Sequence, residues 1–327
     1  MVAKAKIIGT GSYLPERVLT NRDLEQMVET SDEWIVTRTG MKERRIARFD
    51  EYTSDMGLAA AKVALADAHV TAEEIDYIIV ATTTPDYPCP STAAIIQHAL
   101  GAKKAASVDI QATCTGYLYA LSIAKAFVES GAYKYVLVIA SEKLSSVTNY
   151  KDRSTCVLFG DGAAASVVSS QGKGLVIESM NLGTDGEHVD LVIQPAGGCR
   201  APASAETVAN RQHYLTMAGS EVFKHAVRRM EAACKECLDA AGVSEAEIRW
   251  LIPHQANARI IEALAKRFNL PVYLTVHKYG NTSASSLPIA LDEARKTEPL
   301  LAGGDKLLLT AFGGGLVWGA ALLRNEQ

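Results

Sequence analysis

The sequence holds no apolar run approaching the length of about eighteen residues that a membrane-spanning helix needs, so a bilayer is not an expected partner. Its first fifteen residues, MVAKAKIIGTGSYLP, lack the apolar core and small-residue cleavage site of a secretory signal, and a cytoplasmic location is expected. There is no excess of positive charge: the formal net charge is −4. The whole molecule therefore has no electrostatic reason to bind nucleic acid, and any basic docking patch must be local. The six cysteines (Cys89, Cys114, Cys156, Cys199, Cys234, Cys237) are too few and too scattered for a disulfide framework, and free thiols are expected. No phosphate-binding Walker loop, full G-x-G-x-x-G or H-E-x-x-H motif occurs. Cys234-Lys-Glu-Cys237 lacks the second pair or nearby histidine of a zinc site, and His188 in Asp185-Gly-Glu-His-Val-Asp190 matches no ligand spacing. Neither a metal nor an organic cofactor is expected.

Hydrophobic residues make up 48% and charged residues 21%, as in ordinary folded proteins. Strand-like apolar runs at 6–9, 77–81, 107–110, 135–140 and 165–168 recur at 175–178, 191–194, 250–252, 306–310 and 319–323. Helical patterns lie between them, at 55–68, 116–130, 220–241, 258–268 and 285–296. This alternation predicts an α/β fold with buried sheets. No Pro-, Ser- or charge-rich linker separates the halves, so they are expected to be fused. The run at 159–168 (FGDGAAASVV) is echoed at 312–323 (FGGGLVWGAALL). The echo is compatible with chance or with a duplicated α/β unit, residues 1–172 and 173–327, divided near Gly172.

Chemistry concentrates at three strand-to-helix junctions. In DIQATCTGYLYAL a strand runs into Cys114 and a helix starts at once, with Ser122, Lys125 and Glu129 its only polar stripe. The positive end of a buried helix favours thiolate, the nucleophilic form, although a space-filling thiol explains this segment alone equally well. In IPHQAN, His254 stands at the carboxyl end of a strand, where open α/β sheets carry ligands. In YGNTSASS, Asn281 sits in a turn feeding a helix. A fourth segment, Ala311-Phe-Gly313-Gly314-Gly315, offers backbone N–H groups unhindered by side chains, as an oxyanion site needs. Distant junctions of this kind converge on one pocket.

With Cys114 in DIQATCTGYLYAL, His254 in PHQAN, Asn281 in GNTSAS and the FGGG turn, the sequence resembles the 3-oxoacyl-[acyl-carrier-protein] synthase III family over nearly its whole length. That family initiates bacterial type II fatty acid synthesis. The resemblance implies a thiolase fold, a five-layered αβαβα body of two similar halves, assembled as a homodimer. It implies that Cys114 takes the acyl group of an acyl-CoA primer as a thioester. Malonyl-acyl-carrier-protein then loses CO₂, and the resulting enolate attacks that thioester. His254 and Asn281 would stabilise the enolate, and the N–H groups of Cys114 and Gly314 the tetrahedral oxyanion.

The family's CoA positions correspond to Thr30, Trp34, Arg38, Arg153, Gly219 and Asn257, with Trp34 and Arg153 sandwiching the adenine and Arg38 meeting phosphates. Lys224 and Arg259, with Arg228, would form a basic rim for the carrier protein, although a solvated helix face explains Lys224 and Arg228 equally well. Two positions depart from the pattern. Ser220 replaces the more usual asparagine. Cys89 stands where well-known members carry a phenylalanine that closes the partner subunit's acyl pocket, so primers longer than acetyl are expected to be accepted. Asn281 argues against thiolases, which use a second cysteine there, and against elongating synthases, which use a second histidine. Papain-like proteases set their cysteine in a different signature, and a non-catalytic acyl-binding subunit would have lost Cys114. Related Cys-His-Asn condensing enzymes of polyketide or quinolone pathways remain the alternative.

Overall fold

The computed structural model describes residues 3–326. The apolar runs form strands without hydrophobic alternation because both of their faces are covered; every residue of the strand Asp161–Ser169, for example, is buried. In chain order the first half comprises β1 (Lys6–Tyr13), α1 (Thr53–Ala68), β2 (Tyr77–Ala81), α2 (Thr92–Leu100), β3 (Ala106–Ile110), α3 (Gly116–Glu129), β4 (Tyr135–Lys143) and β5 (Asp161–Ser169). The second comprises β6 (Leu175–Thr184), α4 (Gly219–Ala241), β7 (Ile248–Pro253), α5 (Ala258–Phe268), α6 (Ser286–Lys296), β8 (Lys306–Gly313) and β9 (Val317–Asn325).

The nine strands run β7-β8-β9-β6-β1-β5-β4-β2-β3. β2 pairs parallel with β3 and β4, while β5 is antiparallel to both β4 and β1. The second half repeats this: β7 is parallel to β8 and bridges Val272 in parallel, and β9 is antiparallel to β8 and β6. The echoed segments thus lead into topologically equivalent strands, β5 and β9. The two sets meet where Lys6 and Ile7 of β1 pair with Val176 and Leu175 of β6.

Helices complete the layers. The α1 helix covers the outer face of the first set and α4 that of the second, while α3 and α6 lie between, touching strands of both. The central core is therefore shared: Leu118, Leu121, Leu287 and Leu291 pack with Val138, Leu307 and Leu309. This is the αβαβα order of the thiolase fold. One expected strand is reassigned. Residues 191–194 do not join the main sheet; Val192–Ile193 pairs with Thr216–Met217 in a separate two-stranded ribbon. Cys234 and Cys237 are buried on the inner face of α4, where Cys237 meets the Ser179 hydroxyl, as structural thiols do.

Candidate active site

Cys114 sits in a single 3₁₀ turn, Thr113–Thr115, between β3 and α3. Thr113 is held at φ 42°, a left-handed conformation that a non-glycine residue seldom adopts. The turn is pinned to the glycine segment: the Thr113 hydroxyl donates to the Gly314 carbonyl at 2.9 Å and Thr115 to the Val317 carbonyl at 3.2 Å. A Cβ on Gly313 would lie 2.2 Å from Thr113 Oγ1 and 2.8 Å from the Cys114 nitrogen, so this approach requires glycine.

His254 follows β7 directly, and its N–H continues the β7–β8 ladder by donating to Thr310 at 2.7 Å. Asn281 is strapped beside the chain of Phe159: its N–H donates to Leu158 at 2.8 Å and its carbonyl accepts from Gly160 at 3.0 Å. Strand ends of both halves thus bring Cys114, His254, Asn281, Gly313 and Gly314 onto one cavity of about 850 Å³.

The donor set of that cavity is fixed by hydrogen bonds. The Ser286 hydroxyl accepts from the Gln255 N–H at 3.2 Å and lies 2.5 Å from His254 Nδ1. In the tautomer that carries the imidazole proton on Nε2, the Ser286 hydroxyl donates to Nδ1. His254 is 3% exposed, and burial pushes its pKa down to about 3, so the ring is neutral. Asn281 commits its Oδ1 to the Ser283 N–H at 2.8 Å, which leaves the Nδ2 hydrogens for a ligand. His254 and Asn281 are therefore uncharged side chains in the cavity that Cys114 also lines.

Cys114 itself departs from the expected thiolate. Burial pushes the thiol up to about 12; the Ser283 hydroxyl acts against this and the Glu142 carboxyl adds to it. Desolvation is the largest cause of that rise.

Trp34, Arg38, Gly219, Lys224, Asn257 and Arg259 line the same cavity. Trp34 and Arg38 lie on the helix Asp32–Thr39, Gly219 opens α4, and Asn257 caps α5 by accepting from the Arg259 N–H at 2.8 Å.

The 3-oxoacyl-[acyl-carrier-protein (ACP)] synthase III family profile matches residues 108–186 and its C-terminal counterpart residues 238–325. A beta-ketoacyl-[acyl-carrier-protein] synthase III of Chlamydia caviae is 58% identical, covering 100% of this chain and 98% of its own. The chain belongs to the 3-oxoacyl-[acyl-carrier-protein] synthase III family. Its structure is similar to that of 3-oxoacyl-[acyl-carrier-protein] synthase III from Aquifex aeolicus VF5, with TM-score 0.90, 51% identity and coverage of 98% and 99% of the two chains. A priming beta-ketosynthase of the R1128 polyketide pathway also gives 0.90, at 36% identity over 99% and 97%. The protein is thus a thiolase-fold condensing acyltransferase.

Against that family frame, three predicted positions lie off the main cavity. Arg153 borders a shallow depression with Met27, Val28, Glu29 and Lys151. Its guanidinium lies over the Trp34 ring at 4.8 Å and donates to the Glu29 carbonyl, so no room exists between the two for an adenine until Arg153 swings out. Thr30 does not line the cavity, and its hydroxyl is buried without a partner. Cys89 is exposed and is not among the residues that line the chain's own cavity. On the rim, Lys224 is paired to Glu221 at 2.8 Å, and Arg228 reaches His225 rather than an acid.

Several members of the site were not picked out in the sequence: Ser286, Ser283, Thr83, Gln111 and Phe223. Ser286 and Ser283 sit within the GNTSASS run already singled out, where serines at the start of a helical pattern signal an N-terminus as readily as a site. Nothing in the spacing of Gln111 or Phe223 distinguishes them.

Proposed function

We propose that this synthase condenses an acyl-CoA primer with malonyl-acyl-carrier-protein, releasing CO₂ and giving 3-oxoacyl-acyl-carrier-protein through an acyl-Cys114 intermediate. The observation that carries the reading is that neutral His254 and Asn281, its Oδ1 committed to the Ser283 N–H, share the cavity that holds Cys114; with Ser286 donating to Nδ1, His254 carries its proton on Nε2. Two N–H groups at one oxygen stabilise an enolate as its charge develops. A neutral imidazole suits this better than a cation, because it need not give up a proton. The N–H groups of Cys114 and Gly314 form the oxyanion site for both acyl-transfer steps, on a turn held rigid by Thr113 and Thr115. Residues 1–172 contribute the nucleophile and 173–327 the donors. Decarboxylation supplies the carbanion, so the scheme requires no metal or organic cofactor.

Trp34, Arg38, Arg153, Thr30, Gly219 and Asn257 receive CoA in this reading; Arg153 moves off Trp34 to admit the adenine, stacking by its planar guanidinium. Arg259 and Lys224 dock the acidic carrier protein. The enzyme acts as a cytoplasmic homodimer, and Cys89 of one protomer ends its partner's acyl pocket. A fatty acid role is preferred to a polyketide one because the relative with 58% identity carries the former name and the polyketide priming enzyme stands at 36%.

Intact-mass measurement after incubation with acyl-CoA tests the central step. Wild type gains one acyl group and Cys114→Ser gains none; an unmodified wild type overturns the reading.

A further inference from the structure

Arg44, in the short strand Glu43–Arg45, is fully buried, and the condensation chemistry above does not use it. Burial lowers its pKa to about 10, which leaves the guanidinium charged at neutral pH. Its hydrogen-bond acceptors are all uncharged. Nη1 donates to the Leu19 carbonyl at 3.3 Å and to Asn21 Oδ1 at 2.8 Å, and Nη2 donates to the Val157 carbonyl at 2.7 Å. Nε is buried without a partner. A buried cation with no carboxylate on it is costly, and an apolar side chain of the same length would fill the space with less penalty.

Where the three bonds go separates packing from function. Two of them stay local, reaching the paired strand Val18–Thr20 and the residue after it. The third crosses to Val157 and lands beside Asn281. The next carbonyl, that of Leu158, accepts the Asn281 N–H at 2.8 Å, and the Gly160 N–H donates to the Asn281 carbonyl at 3.0 Å. Phe159, between them, bridges Asn281 in parallel. Both chains of this bridge lie against the arginine stem: a Cβ on Gly160 would be 3.1 Å from Arg44 Cβ, and one on Gly280 3.2 Å from it. Glycine at both positions permits that approach. Val157, Leu158, Phe159 and Asn281 in turn line the cavity that holds Cys114.

We propose that Arg44 is a positioning residue for the decarboxylation and condensation step: its bond to the Val157 carbonyl fixes the 157–160 segment and, through it, the place of Asn281. An ionised donor makes the stronger class of hydrogen bond to a carbonyl, and the planar guanidinium holds direction as well as distance. Asn281 then meets the malonyl thioester oxygen as charge develops there, with no reorganisation at that moment. Cys114 sits on a different turn, held to the glycine segment by Thr113 and Thr115, and no bond of Arg44 reaches it. Acyl uptake is therefore independent of Arg44.

The inference rests on Asn281 acting as an enolate donor, as proposed above. The test measures two steps in wild type, Arg44→Met, Arg44→Lys, Asn281→Ala and the double variant of Arg44→Met with Asn281→Ala. Intact mass follows acylation by saturating acyl-CoA, and CO₂ release from malonyl-carrier-protein follows the second step. Methionine keeps the unbranched stem and removes every donor, while lysine returns a charged one. Arg44→Met is expected to decarboxylate about 100-fold more slowly, the effect of a misplacement of about 1 Å, yet to acylate within a few-fold of wild type. Arg44→Lys falls between the two. In the Asn281→Ala background Arg44→Met brings no further loss, because the donor it positions is already gone. Decarboxylation by Arg44→Met at the wild-type rate overturns the proposal. Equal slowing of both steps, or a full second loss in the double variant, does so too, since either marks a general structural role. Should Arg44→Met fail to fold, Arg44→Lys alone must show slowed decarboxylation with intact acylation. Asn281→Ala decarboxylating at the wild-type rate instead removes the enolate role of Asn281 itself, and the proposal with it.

Discussion

A histidine kept neutral inside a protein makes the folded state resist protonation. His254 has its pKa depressed from 6.5 to about 3 by burial alone. The unfolded chain therefore binds this proton first as pH falls, and the stability present above about pH 6.5 is progressively lost toward pH 3. A depression of that size corresponds to a few kcal/mol, on the order of one domain's safety margin. Urea unfolding midpoints of wild type should fall steeply between pH 6.5 and 4, and His254→Gln should fall less; parallel profiles for the two proteins contradict a neutral buried ring. The same ring depends on Ser286, a residue that no pattern in GNTSASS separates from its neighbours. The histidine was legible as a strand-end residue of an α/β sheet. Its tautomer was not, because the group that sets it is 32 positions away in the chain.

At the scale of elements, the site is a contact between two turns. The 3₁₀ turn Thr113–Thr115 and the glycine turn after β8 come from opposite halves and are bound by two threonine hydroxyls. Gly313→Ala places a methyl against Thr113 Oγ1 and the Cys114 nitrogen, both under 3.0 Å. Because the Cys114 nitrogen is backbone, the turns must separate and the proposed oxyanion donors move with them. Both acylation and condensation should slow by about 100-fold, as for loss of one oxyanion donor, with CoA affinity unchanged; rapid-quench rates within a few-fold of wild type would disprove the contact's role. The FGGG run announced a turn of this kind, and the helix after Cys114 was also readable from its apolar faces. The intervening 3₁₀ turn that holds Cys114 was not.

On the scale of the whole molecule, substrate entry and chain length belong to different surfaces. Trp34 lines the cavity and Arg153 lies over its ring from outside that lining, so Trp34→Ala should raise the KM for acyl-CoA about tenfold, the worth of a cation–π contact of about 1–1.5 kcal/mol. The KM for malonyl-carrier-protein should not change, and equal increases in both would argue against separate sites. Cys89 is exposed in the isolated protomer, as a residue that serves a partner's pocket must be. Cys89→Phe should abolish turnover of primers longer than acetyl while sparing acetyl-CoA in steady-state assays. An unaltered chain-length profile refutes its placement at the pocket end.

What the chain determines by itself is local. Apolar runs without alternation specify buried strands, periodic faces specify helices, and Cys114, His254, Asn281 and the FGGG turn are each recognisable at a strand-to-helix junction. The nine-strand order and the equivalence of β5 with β9 follow from pairing the two halves, and the weak echo in sequence only hinted at it. Tertiary structure alone decided the electrostatic state of the centre. Burial raises the proton affinity of the Cys114 thiol and empties His254 of its charge. The cause is physical: proton affinity depends on how completely water is excluded and on which groups replace it. Both are properties of the folded surroundings and not of any segment.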